Sequence, residues 1–228
     1  MNILRLTKEE RFKYIDTFFI KNKEIKPVTN SIAIFMMGLP ASGKSYIKKN
    51  KLEDFVQSHI SKDININTFI NIDPDEFMEG IRGYSHEKVS RYHLEGVILS
   101  NLAVDKIYEN ASKKKNFNFI YDATGRDWTG YRKNINKAKK LGFTTILVYV
   151  LAKKELVKKC AAKRSRKVPS EVINNIDTRL QNLRSNPKAP KKIKNREDSK
   201  SRSVFAVLSE IVDIAHIFHN TPICSEKP

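Results

Sequence analysis

One eight-residue segment, 38–45, constrains the fold of this chain more than any other part of its sequence. It reads Gly-Leu-Pro-Ala-Ser-Gly-Lys-Ser and matches the pattern G-x-x-x-x-G-K-[ST] at every fixed position. Residues 31–37 form a short apolar run directly before it, and a helical pattern follows it. The segment is therefore predicted to be a phosphate-binding loop between a buried strand and a helix; a glycine-rich turn that happens to carry a lysine is the alternative.

The residue types in this loop suit nucleotide binding. The two glycines allow the backbone to curl around phosphate oxygens with its N–H groups directed inward. Lys44 is expected to reach the β- and γ-phosphates, and the Ser45 hydroxyl to ligate Mg²⁺. ATP and Mg²⁺ are therefore the expected cofactors, and the residues expected to bind the nucleotide are Gly38, Leu39, Pro40, Ala41, Ser42, Gly43, Lys44, Ser45 and Tyr46.

Strand-like and helical patterns alternate along the chain. Strands are predicted at 31–37, 68–72, 118–121, 144–151 and 213–218. Helices are predicted after a capping box at Thr7 and at 44–58, 85–112, 129–140, 153–164, 169–183 and 204–212. This alternation is typical of an α/β fold, here a three-layer P-loop NTPase with a mainly parallel five-stranded sheet flanked by helices.

Carboxylates follow two of the predicted strands. Asp122 comes directly after the strand 118–121 and suits the acid that holds Mg²⁺, with a simple capping residue as the alternative. Asp73 and Asp75 flank Pro74, which restricts the local backbone. One of these two is expected to accept the proton of an attacking hydroxyl, and an ordinary Asp-containing turn is the alternative.

Arginines near these carboxylates are candidates for binding phosphate groups. Arg164 and Arg166 lie between two predicted helices, where they can close over the γ-phosphate and neutralise transition-state charge. A solvated basic segment is the alternative, because lysines surround them. Arg126, in a Thr-Gly-Arg run after Asp122, is a candidate for binding a phosphate of ATP or of the acceptor.

Composition narrows the class of protein further. A formal net charge of +18 is consistent with binding to nucleic acid or other polyanions, and equally with an AT-biased genome. Cys160 and Cys224 fit no metal spacing and offer no disulfide framework for a chain this long, which favours a reducing, cytoplasmic location. The apolar runs are far too short to cross a bilayer, so no association with a membrane is expected.

Taken together, these segments resemble the zeta-toxin family of P-loop kinases over roughly residues 31–220. The resemblance rests on the loop, an I-D-x-D-x-F stretch at 72–77, an acid-x-T-G-R stretch at 122–126, an arginine-rich lid and the late strand at 213–218. The D-x-D-x-F and T-G-R stretches are more specific than the loop, which many NTPases share. Known members of the family phosphorylate a sugar hydroxyl of UDP-N-acetylglucosamine, and the resemblance implies the same class of acceptor here.

The resemblance also implies roles for individual residues. Asp75 falls on the family's catalytic base, and Glu95, which carries no signal of its own within a long predicted helix, falls on its substrate-positioning acid. Two departures from the family pattern are that Asp122 stands where well-known members carry Glu and that this lid is shorter. The implied site comprises catalytic Lys44, Asp75, Arg164 and Arg166, substrate-binding Asp73, Glu95, Thr124 and Arg126, and metal ligands Ser45 and Asp122.

The expected organisation is an N-terminal helical extension at 1–27 and a P-loop kinase domain at 28–228, with a lid around 153–202. Within the lid, the lysine-rich stretch 186–202 is predicted to be a mobile loop. The extension either covers the core or binds a partner such as an antitoxin-like protein inhibitor.

Three functions are compatible with these motifs. The first is a kinase acting on a small-molecule acceptor. The second is a polynucleotide 5′-hydroxyl kinase acting on RNA or DNA, in which Trp128, Tyr131 and Arg132 would stack a base. The third is a nucleotide-switched binding protein, although the sequence lacks an N-K-x-D guanine-reading motif after the fourth strand.

Overall fold

The computed structural model describes residues 3–164, 168–182 and 203–224. In these ranges the strands form one parallel five-stranded sheet. Its strands are β1 (Ile32–Met37), β2 (Ile70–Ile72), β3 (Phe119–Asp122), β4 (Thr144–Leu151) and β5 (Ile214–His219). Their spatial order is β2-β3-β1-β4-β5, and every neighbouring pair is parallel. The predicted α/β fold with a five-stranded sheet is confirmed.

Helices connect these strands and cover the sheet. They are α1 (Lys8–Lys21), α2 (Lys44–Asn50), α3 (Leu52–His59), α4 (Pro74–Glu79), α5 (Val89–Ser112), α6 (Trp128–Lys140), α7 (Lys154–Ala162), α8 (Ser170–Gln181) and α9 (Val204–Ser209). Two short 3₁₀ turns, Ile66–Thr68 and His86–Lys88, precede β2 and α5. Within the described ranges, no helix is both long enough and apolar enough to span a bilayer.

The central strand β1 contacts two apolar cores, one on each face of the sheet. Phe35 belongs to the core that contains Leu99 of α5 and Ile135 of α6. Ile34, the adjacent residue, belongs to the opposite core with Leu52 of α3. Successive side chains of a strand point to opposite faces, so a strand covered by helices on both sides must be apolar throughout. This is why all of β1 is buried and why its sequence shows no polar alternation.

The helix predicted at 44–58 is divided into α2 and α3. Lys51 interrupts helical geometry, with φ −135° and ψ −27°. The buried positions Ile47, Leu52, Phe55 and Val56 have a spacing close to a helical repeat, which conceals the break in the sequence.

Helix α4 was not predicted from the sequence, where an Asp-containing turn was the alternative to a pair of functional carboxylates. The Asp73 side chain caps this helix by accepting a hydrogen bond of 2.8 Å from the backbone N–H of Asp75. Pro74 occupies the first turn, where its missing N–H costs no hydrogen bond. Asp75 therefore lies on the first turn of a helix. The strand predicted at 68–72 is also shorter than expected and begins at Ile70.

Helix α1 packs on the rest of the fold through one face. The predicted capping box is present, with Thr7 and Glu10 exchanging hydrogen bonds. Ile15 is buried in the larger apolar core, and the Tyr14 hydroxyl donates a 3.0 Å hydrogen bond to the carbonyl oxygen of Phe77 in α4. Phe12, on the same helix, is half exposed.

A disulfide joins Cys160 of α7 to Cys224, in the segment after β5. The expectation that these cysteines provide no disulfide was wrong. The two residues are 64 positions apart, and only the tertiary structure brings their Cα atoms to 4.6 Å. The inference of a reducing, cytoplasmic location rested on these cysteines and loses that support.

Candidate active site

Candidate residues converge at the edge of the sheet formed by the carboxyl ends of the strands. Gly38 follows β1, Asp73 follows β2, Asp122 ends β3 and Asn220 follows β5. This edge is where parallel α/β sheets bind ligands. The sequence predicted the first three positions and did not predict Asn220.

The loop 38–43 has a backbone geometry that suits phosphate binding. Ala41 and Gly43 both adopt positive φ angles, 64° and 91°, which turn the chain sharply before α2. The backbone N–H of Gly38 donates a 3.3 Å hydrogen bond to the carbonyl oxygen of Thr124, so the loop is tied to the segment after β3. A Cβ added at Gly38 would lie 2.7 Å from the carbonyl oxygen of Val150, a distance that only glycine avoids.

The ammonium group of Lys44 lies against the loop that precedes it. Its Nζ donates hydrogen bonds of 3.2 Å to the carbonyl oxygen of Gly38 and 3.4 Å to that of Leu39. Both acceptors are neutral and both bonds are long. Phosphate oxygens are stronger acceptors for an ammonium group, so Lys44 can exchange these bonds for contacts with a bound phosphate.

Asn220 holds the phosphate loop from the other side. Its Nδ2 donates a 2.8 Å hydrogen bond to the carbonyl oxygen of Ser42, and its backbone N–H donates to Leu151. A Cβ added at Gly43 would overlap this amide. A side chain at position 43 would therefore displace the Asn220 amide from Ser42, and the positive φ angle itself favours glycine. The available sequence signal was a polar residue two positions after the last predicted strand.

Asp122 is a buried carboxylate with one satisfied oxygen. Its Oδ2 lies 3.2 Å from Nζ of Lys48 on α2. Its Oδ1 is buried and has no hydrogen-bond partner among the residues that the structure describes. An unsatisfied buried carboxylate oxygen is costly, and a hydrated Mg²⁺ ion would satisfy it.

The residues around Asp122 fit a magnesium ion that also takes ligands from nucleotide phosphates. Ser45, the second residue of α2, is exposed and can offer its hydroxyl. In the part of the chain that the structure describes, no group of three or more His, Cys, Asp or Glu side chains could hold a metal ion. Mg²⁺ commonly binds one or two carboxylates together with phosphate oxygens and water, which matches this donor set.

Asp73 lies close to other acids at the ends of β2 and β3. Burial, followed by repulsion from Asp122 and Asp75, raises the pKa of Asp73 to about 7. The hydrogen bond from the Asp75 N–H and the charge of Lys48 oppose this shift. Three carboxylates therefore share one region, and a cation bound there would lower their mutual repulsion.

We predict that the metal-free protein becomes less stable as pH rises from 5 to 7. In this range folded Asp73 retains a proton that the unfolded chain has already lost, because its pKa is raised from 3.8 to about 7. The free energy of unfolding should fall by on the order of 1 kcal/mol or more relative to Asp73→Asn, which keeps a capping side chain but does not titrate. Urea unfolding at both pH values measures the difference. Parallel pH dependences in the two proteins would contradict the prediction.

Glu95, predicted to position the substrate, is completely buried and paired with the N-terminal helix. Arg11 of α1 donates two hydrogen bonds to its carboxylate, 2.9 Å from Nε to Oε2 and 2.7 Å from Nη2 to Oε1. Contact with a substrate would require this carboxylate to exchange its partner. The ion pair joins residues 84 positions apart, and no local sequence pattern indicated it.

We predict that Arg11→Met lowers the free energy of unfolding by about 3 kcal/mol, because it leaves the Glu95 carboxylate buried without a cation. The exposed Arg5 provides a matched control, Arg5→Met, which should change stability little. The double variant Arg11→Met/Glu95→Gln should recover part of the loss, since it removes the buried charge. Urea unfolding tests this, and equal stability of Arg11→Met and Arg5→Met would contradict it.

The segment after β3 provides further polar groups. Thr124 accepts the hydrogen bond from the loop described above, and the Nη2 of Arg126 lies 3.2 Å from Nε2 of His93 on α5. Arg164 is exposed directly after α7, whereas Arg166 and the stretch 186–202 lie outside the described residues. The structure therefore gives no position for half of the predicted arginine pair.

The aromatic residues proposed to stack a nucleobase are not available for stacking. Trp128 is completely buried, and Tyr131 is 3% exposed. The Tyr131 hydroxyl donates a 2.7 Å hydrogen bond to the carbonyl oxygen of Met36 in β1. The stacking prediction was wrong, because both residues lie on the face of α6 that packs against the sheet.

Comparison with protein families identifies one match over most of the chain. The zeta toxin family model matches residues 16–203. The comparison with curated proteins finds no match.

Solved structures with the same fold come from at least two protein systems. The structure from the PezAT chromosomal toxin–antitoxin system of Streptococcus pneumoniae has a TM-score of 0.66 at 17% identity, covering 98% of this chain and 83% of that chain. The AvrRxo1-ORF1:-ORF2 structure with ATP has a TM-score of 0.56 at 14% identity, covering 89% and 72%. The AvrRxo1-ORF1:AvrRxo1-ORF2 structure with sulphate has a TM-score of 0.52 at 15% identity, covering 78% and 54%. At these identities the likeness concerns the fold.

Proposed function

Because this chain belongs to the zeta toxin family, we propose that it is an ATP-dependent kinase that transfers the γ-phosphoryl group to a hydroxyl of a small-molecule acceptor. The observation that carries the proposal is the arrangement at one edge of the sheet, where the loop 38–45 lies beside the buried Asp122 and the acids after β2. A phosphate-binding loop alone fits any NTPase, whereas acids at neighbouring strand ends fit transfer to a second substrate.

The phosphate loop and the proposed metal ligands would hold the triphosphate. Backbone N–H groups of 43–45 would contact the phosphate oxygens, since the Gly38 N–H donates to Thr124 and Pro40 has no N–H. Lys44 would neutralise charge on the β- and γ-phosphates. Ser45 and Asp122 would hold Mg²⁺, which would supply positive charge to offset the charge developing on the phosphoryl oxygens. Asn220 keeps the loop in place through Ser42.

Asp75 acts as the general base in this proposal. Its carboxylate accepts the proton of the acceptor hydroxyl while that oxygen forms a bond to the γ-phosphorus. The bond between the γ-phosphorus and the β–γ bridging oxygen breaks in line, and ADP leaves with the bonding electron pair. The short helix α4 holds Asp75 at this edge, since Asp73 caps its first turn.

The other predicted residues would bind the substrates. Arg164 and Arg166 close over the γ-phosphoryl group during transfer and exclude water. Thr124 and Arg126 bind phosphate or hydroxyl groups of the acceptor, together with Asp73. Glu95 would join them only after release from Arg11, so its present contact favours a role in holding α1.

The acceptor that the family suggests is a nucleotide sugar such as UDP-N-acetylglucosamine. The alternative acceptor, an RNA or DNA 5′-hydroxyl, loses the observation that supported it, because Trp128 and Tyr131 are buried. The net charge of +18 is consistent with either polyanion. No observation specifically favours a nucleotide-switched binding protein.

Incubation with γ-labelled ATP and parallel acceptors tests this function. The assay offers a panel of nucleotide sugars, a 5′-hydroxyl oligonucleotide and water alone, each with Mg²⁺. We expect label in a nucleotide sugar and only slow release of inorganic phosphate in water. Label confined to the oligonucleotide would establish the alternative acceptor, and ATP hydrolysis without transfer to any acceptor would contradict the kinase proposal.

A protein inhibitor is a further proposed partner. The PezAT system is described as a toxin–antitoxin system, and the AvrRxo1-ORF1 structures contain ORF2. We therefore propose that a partner protein controls this kinase. The expected result is stable co-purification with the product of an adjacent reading frame and loss of transfer activity in that complex.

A further inference from the structure

Lys48 occupies a central position to which the sequence gave no role. It lies one helical turn after Lys44 on α2. Its Nζ lies 3.2 Å from Oδ2 of Asp122 and donates a 2.9 Å hydrogen bond to Oδ1 of Asn71. The Asn71 amide donates in turn to Oε1 of Glu76 at 2.9 Å. One lysine thus connects α2 with β3, β2 and, through Asn71, α4.

The charges around Lys48 are predominantly negative. The Asp122 side chain is 2% exposed, and that of Lys48 is 21% exposed, so their ion pair is largely shielded from water. Asp73 and Asp75 lie near enough to interact electrostatically with one another, and Asp73 with Asp122. A buried carboxylate that loses its cation is strongly destabilised. Lys48 therefore supplies positive charge to this cluster of acids.

The ion pair satisfies one of the two oxygens of the Asp122 carboxylate. Lys48 contacts Oδ2, whereas Oδ1 is buried without a hydrogen-bond partner among the described residues. A divalent cation at Oδ1 would come within a few ångströms of a fixed ammonium charge, and their repulsion would weaken its binding. Nucleotide phosphates would offset that repulsion by adding negative charge and oxygen ligands.

We propose that Lys48 is the internal counter-ion of the magnesium site. Before metal and nucleotide bind, its ammonium group balances the negative charge of Asp122. The same positive charge keeps the affinity for divalent cations low until nucleotide binds. This rests on the proposed function, which places Mg²⁺ between Asp122 and the nucleotide. Lys48 is a positioning residue, because it acts through Asp122 and is not assigned a contact with either substrate. The arrangement ensures that metal and nucleotide enter the site together.

The test measures Mn²⁺ binding directly, from the electron paramagnetic resonance signal of free Mn²⁺, with and without a non-hydrolysable ATP analogue. Lys48→Gln removes the charge but keeps hydrogen-bond donors for Asp122 and Asn71. Lys48→Arg keeps the charge. Lys49→Gln is the matched control, because Lys49 is the adjacent lysine on α2 and is exposed.

We expect Lys48→Gln to bind Mn²⁺ without nucleotide at least about tenfold more tightly than the wild type. Its metal-free form should unfold at a temperature lower by about 5 °C, and Mn²⁺ should restore that midpoint. Lys48→Arg and Lys49→Gln should resemble the wild type in both measurements. If Lys48→Gln folds only with metal, chelation should unfold it while the wild type stays folded.

Two outcomes would overturn the proposal. Unchanged or weaker Mn²⁺ affinity in Lys48→Gln would show that the lysine charge does not oppose metal binding. A loss of thermal stability that Mn²⁺ fails to restore would show that Lys48 only tethers α2 to the sheet. Failure of the kinase proposal gives a different result, because the wild type would then transfer no label from γ-labelled ATP to any acceptor, whatever the Mn²⁺ affinities of the Lys48 variants.

Discussion

Replacing Lys44 by alanine is expected to lower the rate of phosphoryl transfer by at least about 10³-fold without unfolding the protein. The ammonium group is the cation proposed to neutralise the β- and γ-phosphates as charge develops in the transition state. The fold should persist because, among the described residues, Nζ of Lys44 makes only long hydrogen bonds to neutral acceptors. These acceptors are the carbonyl oxygens of Gly38 and Leu39. Its removal leaves no buried carboxylate without a cation.

Steady-state transfer of label from γ-labelled ATP measures this effect, and the midpoint of thermal unfolding shows whether the variant is folded. Lys49→Ala, a substitution at an exposed position of the same helix, is the matched control and should retain activity. Retention of full activity in a folded Lys44→Ala protein would remove the assignment of 38–45 as the nucleotide-binding loop, and with it the proposed function.

Asp75→Asn is expected to lower kcat by about 10²- to 10⁴-fold while leaving ATP affinity nearly unchanged. Asparagine has almost the same shape as aspartate but cannot accept the proton of the acceptor hydroxyl. Helix α4 should be preserved, because its cap uses the backbone N–H of residue 75 and the side chain of Asp73. The loss should therefore appear in the chemical step.

The relevant measurements are kcat for transfer, its pH dependence and the dissociation constant for ATP from calorimetry. Glu79→Gln, which changes an exposed acid on the same short helix, is the matched control and should behave as the wild type. A loss of less than tenfold in Asp75→Asn would argue against general-base catalysis by this residue. A comparable loss of ATP affinity would instead assign Asp75 to nucleotide binding.

Much of the fold was predictable because its elements are encoded by local patterns. The continuous apolar run of β1 and the alternation of strands with helices predicted the parallel sheet. The loop 38–45 was predictable because its glycines, lysine and serine are needed at fixed spacing for one backbone conformation. Asp73 and Asp122 could also be placed at the binding edge of the sheet, because each directly follows or ends a strand.

Other predictions were wrong, and some elements were missed, because local sequence patterns do not specify them. The break at Lys51 divides what the apolar spacing presents as one helix. The helix that carries Asp75 is only six residues long, and its Asp-Pro start is equally typical of a turn. Trp128 and Tyr131 were predicted to stack a nucleobase because aromatic residues occur both in cores and in binding sites. Only packing against the sheet shows that these two belong to the core.

The sequence by itself determined the α/β class, the position of the phosphate loop and the acids at the strand ends, because hydrophobic periodicity and motif spacing act over short stretches of chain. Only the tertiary structure decided the partners of those groups. Arg11 meets Glu95, Lys48 meets Asp122 and Asn220 meets Ser42 across separations of 84, 74 and 178 residues. Such contacts depend on how whole elements pack, since a charged or polar side chain is paired in the interior only where another element brings its partner within hydrogen-bond distance.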